Sequence, residues 1–201
     1  MTYAGSNQTD RTAAGSTTFL SDRLGLSRRI SGTSTIYFTR DPSGRILGIR
    51  STPGTASGNE YFLFDGLGSV VGLTNNTGSL VASYKYDPFG KITFETSGAP
   101  FNPIRYAGYY WDSSESLYKV GLRYYDPNMS RWTQRDPAED ALDTHGWNTY
   151  VYAGDDPVNF ADPNGRVPPV AQATCLSFWA VCTVPSLWRH QWRTPLRPSR
   201  N

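Results

Sequence analysis

Alternating apolar and polar positions recur along the first half of the chain, and aromatic residues fill many of the apolar positions. The pattern is clearest in YFTRDPSGRI (37–46), YFLFDGLGSV (61–70) and YKYDPFGKI (84–92). A period of two residues predicts strands that bury one face. Each stretch contains Asp-x-x-Gly followed closely by Ile or Val, which predicts a tight turn and then a second strand.

The spacing of these turns predicts a repeat. Their aspartates lie 24 and 22 residues apart, at Asp41, Asp65 and Asp87. Fixed spacing in this range is typical of stacked units that bury their faces on their neighbours. TTFLSDRLGLSRRIS (17–31) predicts one more strand pair, from a degenerate repeat. The alternative is an ordinary β-meander that reuses Asp-Pro turns.

Beyond residue 100 the aromatic residues continue but the pattern changes. LYKVGLRYY (117–125) alternates and predicts one strand, with a turn at DPNMS and a short strand at RWTQ. NTYVYAG (148–154) predicts another short strand, and 138–146 is expected to form a short helix or a loop. We therefore predict an all-β fold of hairpin repeats in a curved, spiralling sheet, with a disordered C-terminal tail.

Charge divides the chain at about residue 166. Residues 1–166 carry 15 Lys and Arg against 17 Asp and Glu, whereas 167–201 carry four Arg and no acid. A nearly neutral body gives no reason to expect nucleic-acid binding. The 35-residue tail is too short to bury an enzyme-sized core, so we expect a truncated effector remnant. A small membrane-active peptide, suggested by LWRHQWR (187–193), is the alternative.

Other chemistry has little support in the sequence. The opening residues lack the apolar segment of a secretory signal, and no run reaches the roughly 18 apolar residues of a membrane span. Cys175 and Cys182 have no strong zinc or redox spacing, so unpaired thiols are expected, with a disulfide as the alternative. His145 is interpreted as a surface residue, and metal binding by the cysteines with His190 is not expected. No cofactor is predicted.

Three segments, in order, resemble the Rhs/YD-repeat family, specifically its C-terminal Rhs repeat-associated core domain. They are YFLFDGLGSVVGLTNNTGSLVASYKYDPFGKI (61–92), GLRYYDPNMSRWTQRDP (121–137) and NTYVYAGDDPVNFADPNG (148–165). The resemblance covers about 60–165, and 37–46 extends it upstream. It implies three parts: degenerate YD-type repeats at 1–60, the core domain at 61–166, and a variable tail at 167–201.

The resemblance also implies a role. Such proteins form a β-hairpin ribbon that spirals into a hollow shell, and the core domain plugs one end. They are bacterial polymorphic toxins, secreted or associated with the cell surface, and the shell holds a variable C-terminal effector. The expected partners are the chain's own upstream shell, the effector segment and secretion machinery. Because members run to many hundreds of residues, we expect this chain to be the end of a longer protein or an orphan fragment.

A self-cleaving site is implied as well. The family's core domain resembles an intramolecular aspartic protease that cuts after the residue following Asp-Pro-x-Gly. Arg123, Asp136 and Asp162 match its motif positions, which implies a junction at Arg166–Val167. Two carboxyl groups that share a proton supply a base and an acid together, and an arginine stabilises the negative charge. Tethering the bond in the same chain removes the entropy cost of an encounter, and no turnover of an external substrate is expected.

Three features of the sequence depart from the family's pattern. Glu139 stands where the family usually has Gly, Arg166 stands where Leu is usual, and the 26-residue gap between the two aspartates is longer than expected. Asp-Pro occurs six times, and Asp126 and Asp156 are interpreted as turn residues. The functional alternative is a non-catalytic β-repeat module that binds carbohydrate or cell wall through its Tyr and Trp residues.

Overall fold

A computed structural model of the chain describes residues 2–4, 10–23, 25–52, 58–137, 148–165 and 170–171. About half of these residues lie in β-strands, and the helical elements among them are two short 3-10 turns, which confirms the predicted all-β fold class. The first ten strands are β1 (Thr2–Ala4), β2 (Asp10–Ala14), β3 (Thr17–Asp22), β4 (Gly25–Ser31), β5 (Ser34–Arg40), β6 (Ile46–Ser51), β7 (Gly58–Phe64), β8 (Val70–Thr74), β9 (Leu80–Tyr86) and β10 (Ile92–Glu95). The later strands are β11 (Tyr110–Asp112), β12 (Leu117–Val120), β13 (Arg123–Asp126), β14 (Arg131–Trp132), β15 (Phe160–Ala161) and β16 (Val170–Ala171).

Strands β1 to β10 form one antiparallel sheet, here called the ribbon, in which every strand pairs with its neighbours in sequence. One face of the ribbon is apolar because alternate side chains point to it. Its core contains Ile36, Phe38, Ile49, Phe62 and Leu73, and all of these are buried. The strand pair predicted from residues 17–31 is confirmed as β3 and β4.

The repeated turns are built as the sequence predicts. At Asp65, Oδ1 accepts hydrogen bonds from the backbone N–H groups of Leu67 at 3.0 Å and Ser69 at 2.8 Å. Gly68 N–H then donates to the Asp65 carbonyl at 3.1 Å, with φ of +84°, which glycine adopts without strain. The turns at Asp41 and Asp87 repeat the carbonyl bond to a glycine.

Strands β11 to β14 form a second antiparallel sheet, and together with the segments around it up to residue 165 they are here called the core. The single strand predicted over 117–125 is wrong, because the chain turns at Gly121 and Leu122 and Val120 pairs with Arg123. The short strand predicted over 148–154 is also wrong: only Val151 forms a bridge, and 153–155 make one 3-10 turn.

The core docks on the third repeated turn of the ribbon through tyrosine hydroxyls. Tyr106 donates to the Pro88 carbonyl at 2.8 Å, Tyr125 to Phe89 at 2.7 Å, and Tyr118 to Gly90 at 2.8 Å. Three consecutive carbonyls of one turn are therefore satisfied by three side chains of the core. The rings of these tyrosines pack with one another and with further aromatic residues, at Tyr109, Trp132 and Tyr152.

Several expectations fall on residues that the structure leaves undescribed. The helix or loop expected over 138–146 lies there, as do His145, the two cysteines, His190 and nearly all of the tail. From the tail only the strand β16 is described, and it pairs antiparallel with β15. Among the described residues, no helix is both long enough and apolar enough to cross a membrane.

Candidate active site

Arg123 joins the two aspartates that the sequence singles out. Its Nη2 lies 2.7 Å from Asp136 Oδ2 and 3.0 Å from Asp162 Oδ2. The two carboxylate oxygens are therefore no farther apart than the sum of these distances. The three side chains are only 2%, 1% and 3% exposed, respectively, so the cluster is closed to bulk solvent.

The backbone of Thr149 links Asp136 to Arg123. The Thr149 carbonyl accepts the Asp136 N–H at 3.2 Å and Arg123 Nη1 at 3.4 Å. Asp136 follows the short strand β14, whose Trp132 N–H donates to the carbonyl of Tyr150. The segment around 149–151 thus holds both the strand and the carboxyl group that follows it.

Asp162 begins a tight turn that closes on the same arginine. Asp162 Oδ1 accepts the N–H of Gly165 at 2.9 Å and that of Asn164 at 3.4 Å. The Gly165 carbonyl in turn accepts Arg123 Nε at 2.7 Å. Arg123 therefore binds both the side chain that opens the turn and the main chain that ends it.

Two glycines allow this turn to approach the β12–β13 hairpin. A Cβ built on Gly121, where φ is +49°, would lie 2.0 Å from the Asn164 carbonyl oxygen. A Cβ on Gly165, where φ is +67°, would lie 2.6 Å from the carbonyl oxygen of Val120. Both contacts are with backbone atoms, so a side chain at either position would displace the turn.

Burial and ion pairing act on Arg123 in opposite directions. Burial lowers the pKa of its guanidinium, the nearby carboxylates of Asp136 and Asp162 raise it, and the net effect is a lowered pKa. Arginine starts so high that it remains a cation at physiological pH. Its Cζ also lies 4.0 Å from the ring centroid of Trp132, which provides a cation–π contact on one side of the planar group.

Two carboxyl groups and one guanidinium are the groups that acid–base hydrolysis of a peptide bond needs. One carboxylate can accept a proton from water while a protonated partner donates one, and the cation offsets negative charge that develops. In the described part of the chain no cluster of three or more His, Cys, Asp or Glu side chains suits a metal ion. Two carboxyl groups in contact with one guanidinium suit acid–base chemistry.

The other Asp-Pro aspartates have turn geometry. Asp126 Oδ1 accepts the N–H of Asn128 at 2.8 Å, and Asp156 accepts the side-chain amide of Asn159 at 2.9 Å. Both contacts are exposed to solvent, unlike those of Asp136 and Asp162. The interpretation of Asp126 and Asp156 as turn residues agrees with this geometry.

Some of the site lies outside what the sequence predicts or the structure describes. The junction residues Arg166 and Val167 are not described; in sequence they fall between β15 and β16. Thr149, Trp132 and Tyr109 contact the site but carry no sequence signal that separates them from other threonines and aromatic residues. The carbohydrate-binding alternative needs exposed aromatic residues, yet many of the tyrosines are buried, namely Tyr84, Tyr106, Tyr109, Tyr118, Tyr125 and Tyr152.

The ribbon and the core docked on it define an all-β protein of stacked hairpin repeats. Comparison with known families gives the same class: the Teneurin YD-shell model matches residues 30–158. This match covers more than half of the chain, and the chain belongs to the YD-repeat proteins of that family.

Several known proteins share this segment. The tRNA3(Ser)-specific nuclease WapA of Bacillus spizizenii is 32% identical over 136 residues, which are 64% of this chain and 6% of the nuclease. Toxin protein Tse5 of Pseudomonas aeruginosa is 31% identical over 110 residues, which are 55% of this chain and 8% of the toxin. The chain therefore spans a small part of the length of these relatives.

A solved structure shares the fold. The crystal structure of TcdB2-TccC3 without its hypervariable C-terminal region has a TM-score of 0.56 and 21% sequence identity to this chain. The similarity covers 72% of this chain and 7% of the solved one. The chain is thus a YD-shell segment, and proteins that share it include ones named as toxins.

Proposed function

We propose that this chain is the shell-closing core of an Rhs-type toxin, and that it cuts itself after Arg166 to separate residues 167–201 from the shell. The observation that carries the proposal is the buried contact of one arginine nitrogen with Asp136 and Asp162 at 2.7 and 3.0 Å. Taking an isolated charge out of water costs several kcal/mol, so three buried ionisable groups in contact are unusual without a role.

The proposed chemistry is hydrolysis of the Arg166–Val167 peptide bond. One carboxylate takes a proton from a water molecule as the water oxygen attacks the Arg166 carbonyl carbon. The other carboxyl group, protonated at the start, passes its proton to the Val167 nitrogen as the C–N bond breaks. Arg123 stabilises the negative charge on the cluster, and a new carboxyl group and a new amine result.

The position of the turn supports this junction. The main chain is held by Arg123 as far as the Gly165 carbonyl, one residue before Arg166. The scissile bond follows directly in sequence, so only a short length of chain separates it from the anchored Gly165 and from the carboxyl groups. Such tethering replaces a bimolecular encounter and favours reaction.

The proposal extends to biology through the relatives. A YD-shell segment shared with proteins named as toxins supports a role in holding an effector that follows the core. Delivery to the cell surface or outside the cell, with the upstream shell and secretion machinery as partners, belongs to the same proposal.

The mass of the purified chain tests it. We expect the wild type to lose the mass of residues 167–201, and Asp136→Asn and Asp162→Asn to remain intact. Asp126→Asn is the matched control, because it changes an Asp-Pro aspartate that only makes a turn and should leave cleavage unchanged. An intact wild-type chain would remove self-cleavage and leave the shell role alone.

A further inference from the structure

Asp162 has little regular structure to hold it in place. It follows β15, a strand of only two residues, and precedes Pro163. Its backbone is instead bound by the side chain of Tyr109, which lies 53 positions earlier. The Tyr109 hydroxyl oxygen is 3.0 Å from the Asp162 nitrogen and 3.0 Å from the Asp162 carbonyl oxygen.

The directions of these hydrogen bonds follow from the single proton of the hydroxyl. That proton goes to the Asp162 carbonyl, because a carbonyl only accepts. The Tyr109 hydroxyl oxygen also accepts a hydrogen bond from the Asp162 N–H. Its one proton is then already used, so the Tyr152 hydroxyl, 3.0 Å away, must donate to the Tyr109 oxygen. The Tyr109 oxygen thus makes three hydrogen bonds among residues that are at most 4% exposed.

The hydroxyl remains a donor over a wide pH range. Burial raises the pKa of Tyr109 well above its usual value, and the hydrogen bond with Tyr152 acts in the opposite direction without reversing it. Both polar groups of the Asp162 backbone therefore keep a partner in a place that is shielded from bulk solvent. Leaving either without one would be costly.

We propose that Tyr109 is a positioning residue of the cleavage site: its hydroxyl fixes the backbone of Asp162 and so holds that carboxyl group against Arg123. The inference rests on the proposed self-cleavage. Tyr109 bonds to the backbone of Asp162 and acts on the chemistry through it, so its effect is on geometry. Small errors in the position of a reacting group are expensive in rate.

Tyr109→Phe tests the idea, with Tyr118→Phe as the matched control. Each substitution deletes one buried hydroxyl from the same aromatic cluster, but the Tyr118 hydroxyl donates to the Gly90 carbonyl in the ribbon, whereas the Tyr109 hydroxyl donates to the Asp162 carbonyl. At a temperature where both variants are folded, we expect Tyr109→Phe to slow self-cleavage about 100-fold. We expect Tyr118→Phe to slow it less than about threefold, because the hydrogen bond that it removes goes to Gly90 and not to the backbone of Asp162.

The pH profile separates positioning from loss of folded protein. A smaller folded fraction would lower the cleavage rate by the same factor at every pH where stability is constant, and the shape of the pH profile would not change. A displaced Asp162 carboxyl group changes the electrostatic surroundings of the reacting groups, so the shape of the profile should change in Tyr109→Phe and stay the same in Tyr118→Phe. Equal profiles and equal slowing in the two variants would overturn the proposal.

Hydrogen exchange gives an answer that does not depend on cleavage. In an Asp136→Asn background, which keeps every chain intact, exchange at the Asp162 amide should be faster by about tenfold or more in Tyr109→Phe and unchanged in Tyr118→Phe. Equal exchange in both would show that Tyr109 does not hold Asp162. If the parent chain with both aspartates stays uncut, the proposed function and the positioning role in it both fail, while exchange still decides whether the hydroxyl holds the backbone.

Discussion

Paired strands in the ribbon are neighbours in sequence, whereas the core joins residues that lie 26 to 53 positions apart, such as Arg123 to Thr149 and Tyr109 to Asp162. The ribbon buries mostly aliphatic and phenylalanine side chains, with Tyr84 as an exception, and it closes its hairpins with local turns. The core buries tyrosine hydroxyls and charged groups that need specific distant partners. Local rules therefore specify the ribbon, and long-range polar contacts specify the core.

The largest expected effect is a loss of unfolding free energy at alkaline pH, caused by the buried tyrosines of the core. Burial raises the pKa of Tyr106 from 10.0 to about 12, and it also raises the pKa values of Tyr109, Tyr118, Tyr125 and Tyr152. Above about pH 10 the unfolded chain loses these protons while the folded chain keeps them, so the free energy of unfolding falls as pH rises. For Tyr106 alone the shift from 10.0 to about 12 is worth about 3 kcal/mol, which is lost between about pH 10 and pH 12.

Urea unfolding at a series of pH values, followed by tryptophan fluorescence, measures this loss. Tyr106→Phe serves as the control: removing one titrating group should reduce the slope of unfolding free energy against pH by about one proton in that range. Phenolate absorbance that appears fully near pH 10 in a folded protein would mean that the cluster is open to water.

The second effect is steric and compares the same Gly→Ala substitution in the core and at the end of the ribbon. Gly121→Ala would place a Cβ 2.0 Å from the Asn164 carbonyl oxygen at φ of +49°. Because the turn must move and the backbone is strained, we expect a loss of about 2–4 kcal/mol in unfolding free energy. Gly98→Ala is the matched change after the last ribbon strand, where φ is +71° and nothing lies within 4 Å; about 1 kcal/mol is expected there.

Chemical denaturation of the two variants makes the comparison. Equal losses would mean that the turn at Asn164 yields easily and that its docking on the hairpin contributes little. A larger loss at Gly121 would show that the close approach is part of what holds Asp162 and Gly165 near Arg123.

Local rules also explain which parts of the fold the sequence predicts. The ribbon turns are predictable because Asp65 and Gly68 carry the whole signal within four residues. The hairpin at Gly121 is hidden because burial shifts phase there, from Tyr118 and Val120 to Arg123. The first buried residue after the turn is Arg123, which is charged. The alternation of apolar residues therefore does not reveal that the buried positions shift at the turn.

The candidate site is predictable in part for a similar reason. The sequence motif singles out Arg123, Asp136 and Asp162, and the structure brings their side chains together. Tyr109 is not predictable, because 13 tyrosines share its chemistry and only the folded backbone selects one of them to bond with Asp162. Residues that act through distant backbone contacts leave no local pattern.

The smallest effect asks whether a ribbon turn needs charge or only an acceptor. One ribbon turn already uses a neutral acceptor: Asn75 Oδ1 accepts hydrogen bonds from the N–H groups of Thr77 and Ser79, both at 3.0 Å. This is the same pair of bonds that Asp65 makes. We therefore expect Asp65→Asn to change the free energy of unfolding by less than about 0.5 kcal/mol, and Asp65→Ala to cost about 1 kcal/mol.

Thermal and urea unfolding of the two Asp65 variants would measure this difference, and the core supplies the contrast. Asp162 meets the cation Arg123 in a place closed to solvent, so the same Asp→Asn change there removes one partner of a buried ion pair and should destabilise by more than at Asp65. If asparagine were as harmful at Asp65 as alanine, charge would matter in the ribbon too, and the division between local turns and a charge-dependent core would fail at its simplest point.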